Sequence, residues 1–207
     1  MPHTYLKSII LEYRNTLAGI WPPEISEPGR ELTVLADFEQ FLSEHANSFS
    51  RQNLFGHVTG SAMVLSPDGN EIVMTLHKKL GKWLQLGGHS DDNPLTFEVS
   101  LNEVKEESGL DRLELICPSN PIRHSPLHHV LPLDLNIHVI PARLSEPQHF
   151  HYDVVYLMRA LDKQLMISDE SDDLRWIKIE DVHLISNEDC TLRQVEKIKW
   201  LKNKFKF

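Results

Sequence analysis

Three carboxylates stand close together in the segment Glu103-Val104-Lys105-Glu106-Glu107. If the segment is helical, positions i, i+3 and i+4 are surface neighbours, so Glu103, Glu106 and Glu107 share one face about 100° wide. Such a face is a common solvated surface, but three carboxylates at this spacing repel one another unless cations lie between them. Hard divalent ions take oxygen ligands of this kind, and Mg²⁺ typically combines a few carboxylates with phosphate and water. Gly87-Gly88-His89 precedes the acidic run, and a double glycine lets backbone approach the same ions closely. The chemistry on offer is therefore metal-assisted work on a phosphate.

The histidines are the second group. Seven of the 12 lie between His89 and His151: His89, His124, His128, His129, His138, His149 and His151. Over Leu133–Ile140, Asp134, Asn136 and His138 alternate with Leu133, Leu135, Ile137 and Val139, and over His149–Val155, His149, His151 and Asp153 alternate with Phe150, Tyr152 and Val154. Alternation of this kind puts the polar set on one face of a strand. An antiparallel pair across Pro141–Gln148 brings His138 opposite His151 and Asn136 opposite Asp153, giving one His-rich face. Three roles stay open for it: hydrogen-bonded rings that shape the sheet, a substrate-contact surface, or a separate transition-metal site. Loop cations that could meet phosphate are Arg143, Lys79 and Lys82, with Arg143 best placed at a strand end; His77 and His89 flank the same region.

The elements that must position these groups are legible in outline. Leu6, Ile9, Ile10, Tyr13 and Leu17 form a helical stripe that Trp21-Pro22-Pro23 ends, and a second helix is expected over 31–45 with Leu35, Phe38 and Leu42 inward. From Leu54 the texture becomes strand-like: 58–65, a Pro67-Asp68-Gly69-Asn70 turn, 71–76, then a short strand at 83–86 ending in Gly87-Gly88. A helix over 94–108 follows, closed by Gly109, with Phe97, Leu101, Val104 and Ser108 within about 60° of each other on its core side. Strands are expected near 113–117, 133–140, 151–159 and 174–179. A last helix at 187–204 carries Lys197, Lys199, Lys202 and Lys204, which suit a helix C-terminus. The pairing reads as mostly antiparallel, in a mixed sheet flanked by helices.

Composition narrows the class. The chain has 207 residues, and 30 acids against 21 Lys plus Arg give a net charge of −9, which argues against a nucleic-acid surface. Cys117 and Cys190 are far apart and form no CxxC, which argues against a disulfide scaffold. No apolar run reaches the roughly 20 residues of a membrane span, and Glu12 and Arg14 interrupt the N-terminal apolar stretch, so the expectation is a cytoplasmic chain without signal peptide.

The whole string from Gly88 to Leu110 resembles the Nudix box: Gly, five residues, Glu, seven residues, then Arg-Glu-apolar-any-Glu-Glu-any-Gly-apolar. Glu103, Val104, Glu106, Glu107, Gly109 and Leu110 fall in register. Two positions depart: Pro94 stands at the pattern's first Glu and Asn102 at its Arg, two residues that commonly interact in the family, and Asp91 and Asp92 are the nearest replacement charges. Trp83 leading into Gly-Gly and the closing Arg175-Trp176-Ile177 strand extend the resemblance over about 51–207, with 1–50 as an N-terminal helical extension that packs on the domain or serves a dimer or partner surface.

The resemblance implies an α/β fold (α+β in detail), a Nudix-like α/β/α sandwich with a mixed sheet. It implies a hydrolase that cleaves a nucleoside diphosphate linked to another group, using Mg²⁺ or Mn²⁺. Glu103, Glu106, Glu107 and the Gly87 carbonyl become metal ligands, one glutamate doubling as general base, with Glu170 as a loop candidate for ligand or base. His138, Arg143, His151 and Asp153 are the candidate substrate contacts. The alternatives are a nucleoside triphosphate pyrophosphohydrolase and a Nudix-fold binding module without catalysis. The expected partner is a small nucleotide-like diphosphate, with no nucleic acid and no membrane, and a homodimer is an open option.

Overall fold

A computed structural model describes residues 3–121, 130–143 and 146–206; His124, His128 and His129 lie outside them. Two helices come first, α1 (His3–Ile20) and α2 (Pro28–Glu44), then strands β1 (Gly56–Leu65), β2 (Glu71–His77), β3 (Lys82–Leu84) and β4 (Leu86–His89). Helix α3 (Thr96–Ser108), β5 (Leu113–Ile116), β6 (Asp134–Ile140), β7 (His149–Ala160) and β8 (Ser171–Lys178) follow, and a 3-10 turn (Ile179–Leu184) leads to α4 (Asp189–Phe205).

All eight strands join one mixed sheet with β1 and β7 at its centre. These two run parallel, in register from Gly56↔Phe150 to Leu65↔Arg159. This departs from the mostly antiparallel expectation at the heart of the sheet. The chain between them is a long crossover containing α3, which is what a parallel pair requires. The other pairings are antiparallel, and β6 meets β7 with Asn136↔Asp153 and His138↔His151, the register anticipated from the alternation. The single strand expected at 83–86 is two strands. β3 pairs with β2 and β4 pairs with β1, so the chain changes partner at Gln85, and Gly87-Gly88 lie inside β4.

The N-terminal helices are built into the same core. Leu6, Ile9, Ile10 and Tyr13 of α1 and Leu35, Phe38, Phe41 and Leu42 of α2 are buried. Phe41 stacks on Tyr152 of β7 with ring centroids 3.8 Å apart, and Phe38 meets the same ring edge-on at 5.3 Å. Tyr152 lies between His151 and Asp153, so α2 backs the strand whose other face carries the polar set.

Lys197 does not serve the α4 C-terminus. It is fully buried and its Nζ donates to Asp134 Oδ1 at 2.7 Å, Glu31 Oε1 at 2.9 Å and the Tyr13 hydroxyl at 3.1 Å. Arg193 donates to the other Asp134 oxygen at 2.7 Å. This network ties α1, α2, β6 and α4 together. The helical periodicity of 187–204 showed the apolar stripe but not the acids that other elements bring to it. Among the described residues, no helix is long and apolar enough to cross a membrane.

Candidate active site

Helix α3 lies against β1 and β4 and presents its acidic face to the glycine turn. Glu107 is buried, Glu103 half-buried and Glu106 exposed, so the trio grades from the protein interior outward. The Gly87 N–H donates to Glu107 Oε2 at 2.8 Å. A Cβ at Gly88 would sit 2.5 Å from the Glu103 carboxyl carbon, so a side chain there would push that carboxylate aside. At Gly87 a Cβ would overlap the Ser61 backbone and side chain of the neighbouring strand, so this position requires glycine.

Electrostatics follow from that crowding. Burial, then Glu106 and Glu170, push the Glu103 carboxyl up to about 7. Burial pushes Glu107 up to about 8, against the opposing pull of the Gly87 N–H, and the neighbouring acids add to the rise. Arg51 favours ionised Glu103 but is itself paired with Asp91. Such carboxylates either hold protons or are matched by cations, and an all-oxygen donor set fits Mg²⁺ or Mn²⁺.

An open cleft of about 640 Å³ includes Glu103, Glu106, Glu107, Gly87 and Glu170 together with Arg143, His138, His151 and Asp153. The candidate metal ligands, the Glu170 candidate base and the four candidate substrate contacts thus line one cleft. Glu170 sits exposed just before β8, near enough to raise both Glu103 and Glu107. Arg143 is exposed, its N–H bonded to the Glu146 carbonyl at 2.8 Å. Lys79 lines the cleft, whereas Lys82 pairs with Glu188 at 2.7 Å and does not. Asp153 is 1% exposed and its carboxylate is engaged: Thr59 Oγ1 donates at 2.8 Å and Ser61 Oγ at 2.7 Å to one oxygen, and Gln85 Nε2 at 3.4 Å to the other.

The sequence reading missed His57, Thr59 and Ser61 of β1 and Arg51. His57, Thr59 and Ser61 alternate with Val58, Gly60 and Ala62, a signal that was present. Its meaning emerges only with the parallel register His57↔His151 and Thr59↔Asp153. His57 is 4% exposed and clusters with His89, His149 and His151 at ring separations of 4.7–5.0 Å. Burial first, then the mutual disfavouring of charge among the neighbouring rings, with Arg51 adding at His57 and His89, lowers His57 and His89 to about 4 and His151 to about 2, so these rings are neutral near pH 7.

The loop before α3 is braced without the Glu–Arg pair of the family pattern. Asp91 pairs with Arg51, the Asp92 N–H donates to the Phe49 carbonyl at 3.0 Å, and Asn93 Oδ1 accepts from the Leu95 N–H at 2.9 Å. Asn102 is exposed on the helix.

No family model and no curated protein matches the sequence. Solved structures do match. A hydrolase of the NUDIX family from Clostridium perfringens is 26% identical, with a TM-score of 0.53 over 70% of this chain and 97% of that one. A C. elegans Ap4A hydrolase, in a binary complex, is 14% identical, with a TM-score of 0.52 over 72% and 98%. The E. coli dihydroneopterin triphosphate pyrophosphohydrolase is 14% identical, with a TM-score of 0.50 over 70% and 95%. The last two share the fold alone.

Proposed function

We propose that this chain, a member of the Nudix hydrolase family, cleaves the pyrophosphate bond of a nucleoside diphosphate linked to another group, releasing a nucleoside monophosphate and the phosphorylated remainder. The observation that carries the reading is the meeting of Glu103, Glu106 and Glu107 with the Gly87 backbone in one open cleft. Residues 51–207 are assigned as the catalytic unit and 1–50 as an extension that backs its His-rich wall.

Glu103, Glu106, Glu107 and the Gly87 carbonyl would hold Mg²⁺ or Mn²⁺. When bound, such ions neutralise the charge of the diphosphate and of the developing transition state. The chain's own groups do the positioning. A carboxylate of the trio, or Glu170 from the loop facing it, takes the proton as the water oxygen bonds to phosphorus and the anhydride P–O bond breaks. Arg143 meets a phosphate oxygen with charge-assisted donors. His138 and His151 form the wall against the rest of the substrate, and Asp153, locked by Thr59, Ser61 and Gln85, holds that wall in place.

The substitutions Pro94 and Asn102 favour keeping a second reading, a nucleotide-binding module without turnover. A panel of dinucleoside polyphosphates, nucleotide sugars and nucleoside triphosphates, incubated with Mg²⁺ or Mn²⁺ and analysed by product mass, separates the readings. A monophosphate and a phosphorylated partner support the proposal. Pyrophosphate from triphosphates points to the pyrophosphohydrolase variant of the same chemistry. Tight binding of one compound with no turnover of any supports the module.

A further inference from the structure

The same cleft carries His57 and His149, to which the hydrolysis assigns no role, beside His151. We propose that His57, His149 and His151 form a second metal site, for a divalent transition-metal ion of the zinc class, separate in residues and ligand chemistry from the carboxylate site.

Geometry carries the proposal. One ligand atom from each of the three rings lies within 4.8 Å of the other two. His149 Nε2 and His151 Nε2 are 3.3 Å apart. Two nitrogens bound at about 2.0–2.1 Å to one tetrahedral ion stand about 3.3–3.4 Å apart, so this pair already has the spacing of neighbouring ligands.

The proton positions agree. His149 Nδ1 is 3.0 Å from the Pro147 carbonyl, which can only accept. Its proton is therefore on Nδ1, and Nε2 offers a lone pair toward His151. A backbone carbonyl fixing the tautomer of a histidine in this way is the usual outer support of a metal ligand. Without an ion, His151 must donate its Nε2–H to His149. With one, that proton moves to His151 Nδ1 and both Nε2 atoms face the metal.

His57 supplies the independent observation. It is 4% exposed, and neither ring nitrogen has a hydrogen-bond partner within 3.5 Å, the Asn53 backbone acting on the ring only from beyond that distance. A buried imidazole left this way is costly unless something completes it. Its place is rigid, since His57 pairs with His151 across the parallel β1–β7 ladder. His138 stands beside the set rather than in it. Asn136 Oδ1 accepts from Arg30 and Arg193, both at 3.3 Å, which turns the Asn136 amide nitrogen toward His138 Nδ1 at 3.4 Å and leaves the His138 proton on Nε2.

Three neutral nitrogen ligands suit zinc-class ions and suit Mg²⁺ poorly, since Mg²⁺ prefers oxygen. A three-ligand site keeps a coordination position for water or a substrate oxygen. The acids around the cleft offset the charge of a bound ion.

The test uses the full chain, stripped with EDTA and held in millimolar Mg²⁺ to occupy the carboxylates. It is titrated with Co²⁺, read by visible absorption, then displaced with Zn²⁺. One equivalent should bind, with the intense band of a low-coordinate nitrogen site. Binding should persist in the Glu106→Gln/Glu107→Gln double variant and weaken at least about tenfold in His149→Gln. No saturable Co²⁺ binding over Mg²⁺ overturns the proposal, as does loss in the glutamate variant with retention in His149→Gln. Should His149→Gln fail to fold by circular dichroism, anomalous scattering from zinc-soaked wild-type crystals decides. A peak among the three rings supports the site, and peaks at the glutamates alone overturn it.

Discussion

Glu107 and Gly87 are 20 residues apart in sequence and joined by a 2.8 Å hydrogen bond from backbone N–H to carboxylate. This contact fixes α3 against the glycines of β4, so the acidic face cannot drift from the backbone that would share its ions under the proposed function. The adjacent residue extends the argument. A Cβ at Gly88 would overlap the Glu103 carboxylate, with 2.5 Å to its nearest oxygen. Gly88→Ala should displace Glu103 and lower kcat by about 10²-fold, because misplacement near 1 Å costs that much. The melting temperature should stay within a few degrees, and unchanged kcat would count against the placement of Glu103.

Arg143 is exposed at the rim of the cleft, beside the loop that leads into β7. Its contact with a phosphate would be made in ground state and transition state alike. Arg143→Ala should therefore raise KM by about 10-fold or more with little change in kcat, the value of a charged hydrogen bond. Steady-state kinetics on the preferred substrate reads this directly.

The buried network around Lys197 should matter to stability. Replacing Lys197 with Met leaves Asp134 and Glu31 without their buried cation, a loss of about 3–5 kcal/mol. Urea denaturation followed by circular dichroism measures it. A loss below about 1 kcal/mol would mean that Arg30 and Arg193 suffice to hold Asp134.

His57 predicts a pH effect in metal-free protein. Burial lowers its pKa from 6.5 to about 4, so the unfolded chain binds the proton more readily. Its contribution is full above pH 6.5 and is lost as pH falls from 6.5 toward 4. Wild type should thus lose stability relative to His57→Gln on acidification across that window. A difference independent of pH between 7 and 4 would contradict the burial of a neutral ring.

Helical period and alternation made much of the site legible. The 3.6-residue period placed Glu103, Glu106 and Glu107 on one face, and the two-residue period gave the His138↔His151 register. What local pattern cannot encode is the partner. The parallel β1–β7 pairing arises from a crossover, and it alone brings His57 beside His151. Lys197 reads as one lysine among several on α4, because Glu31 and Asp134 reach it from distant elements. The brace from Arg51 to Asp91 likewise spans 40 residues, and no motif announces it.

The central claim is tested most directly by comparing wild type and Glu107→Gln on the best compound of the panel, each after EDTA treatment and again with Mg²⁺ or Mn²⁺ restored. Gln is nearly isosteric with Glu and keeps an oxygen for the Gly87 N–H, so the fold should be unchanged by circular dichroism. The account predicts that wild-type turnover vanishes with EDTA and returns with the ion, while Glu107→Gln stays about 10²–10³-fold below it, the cost of losing one preorganised charge at the reacting centre. Glu107→Gln turning over at the wild-type rate, or wild type indifferent to EDTA, would contradict it.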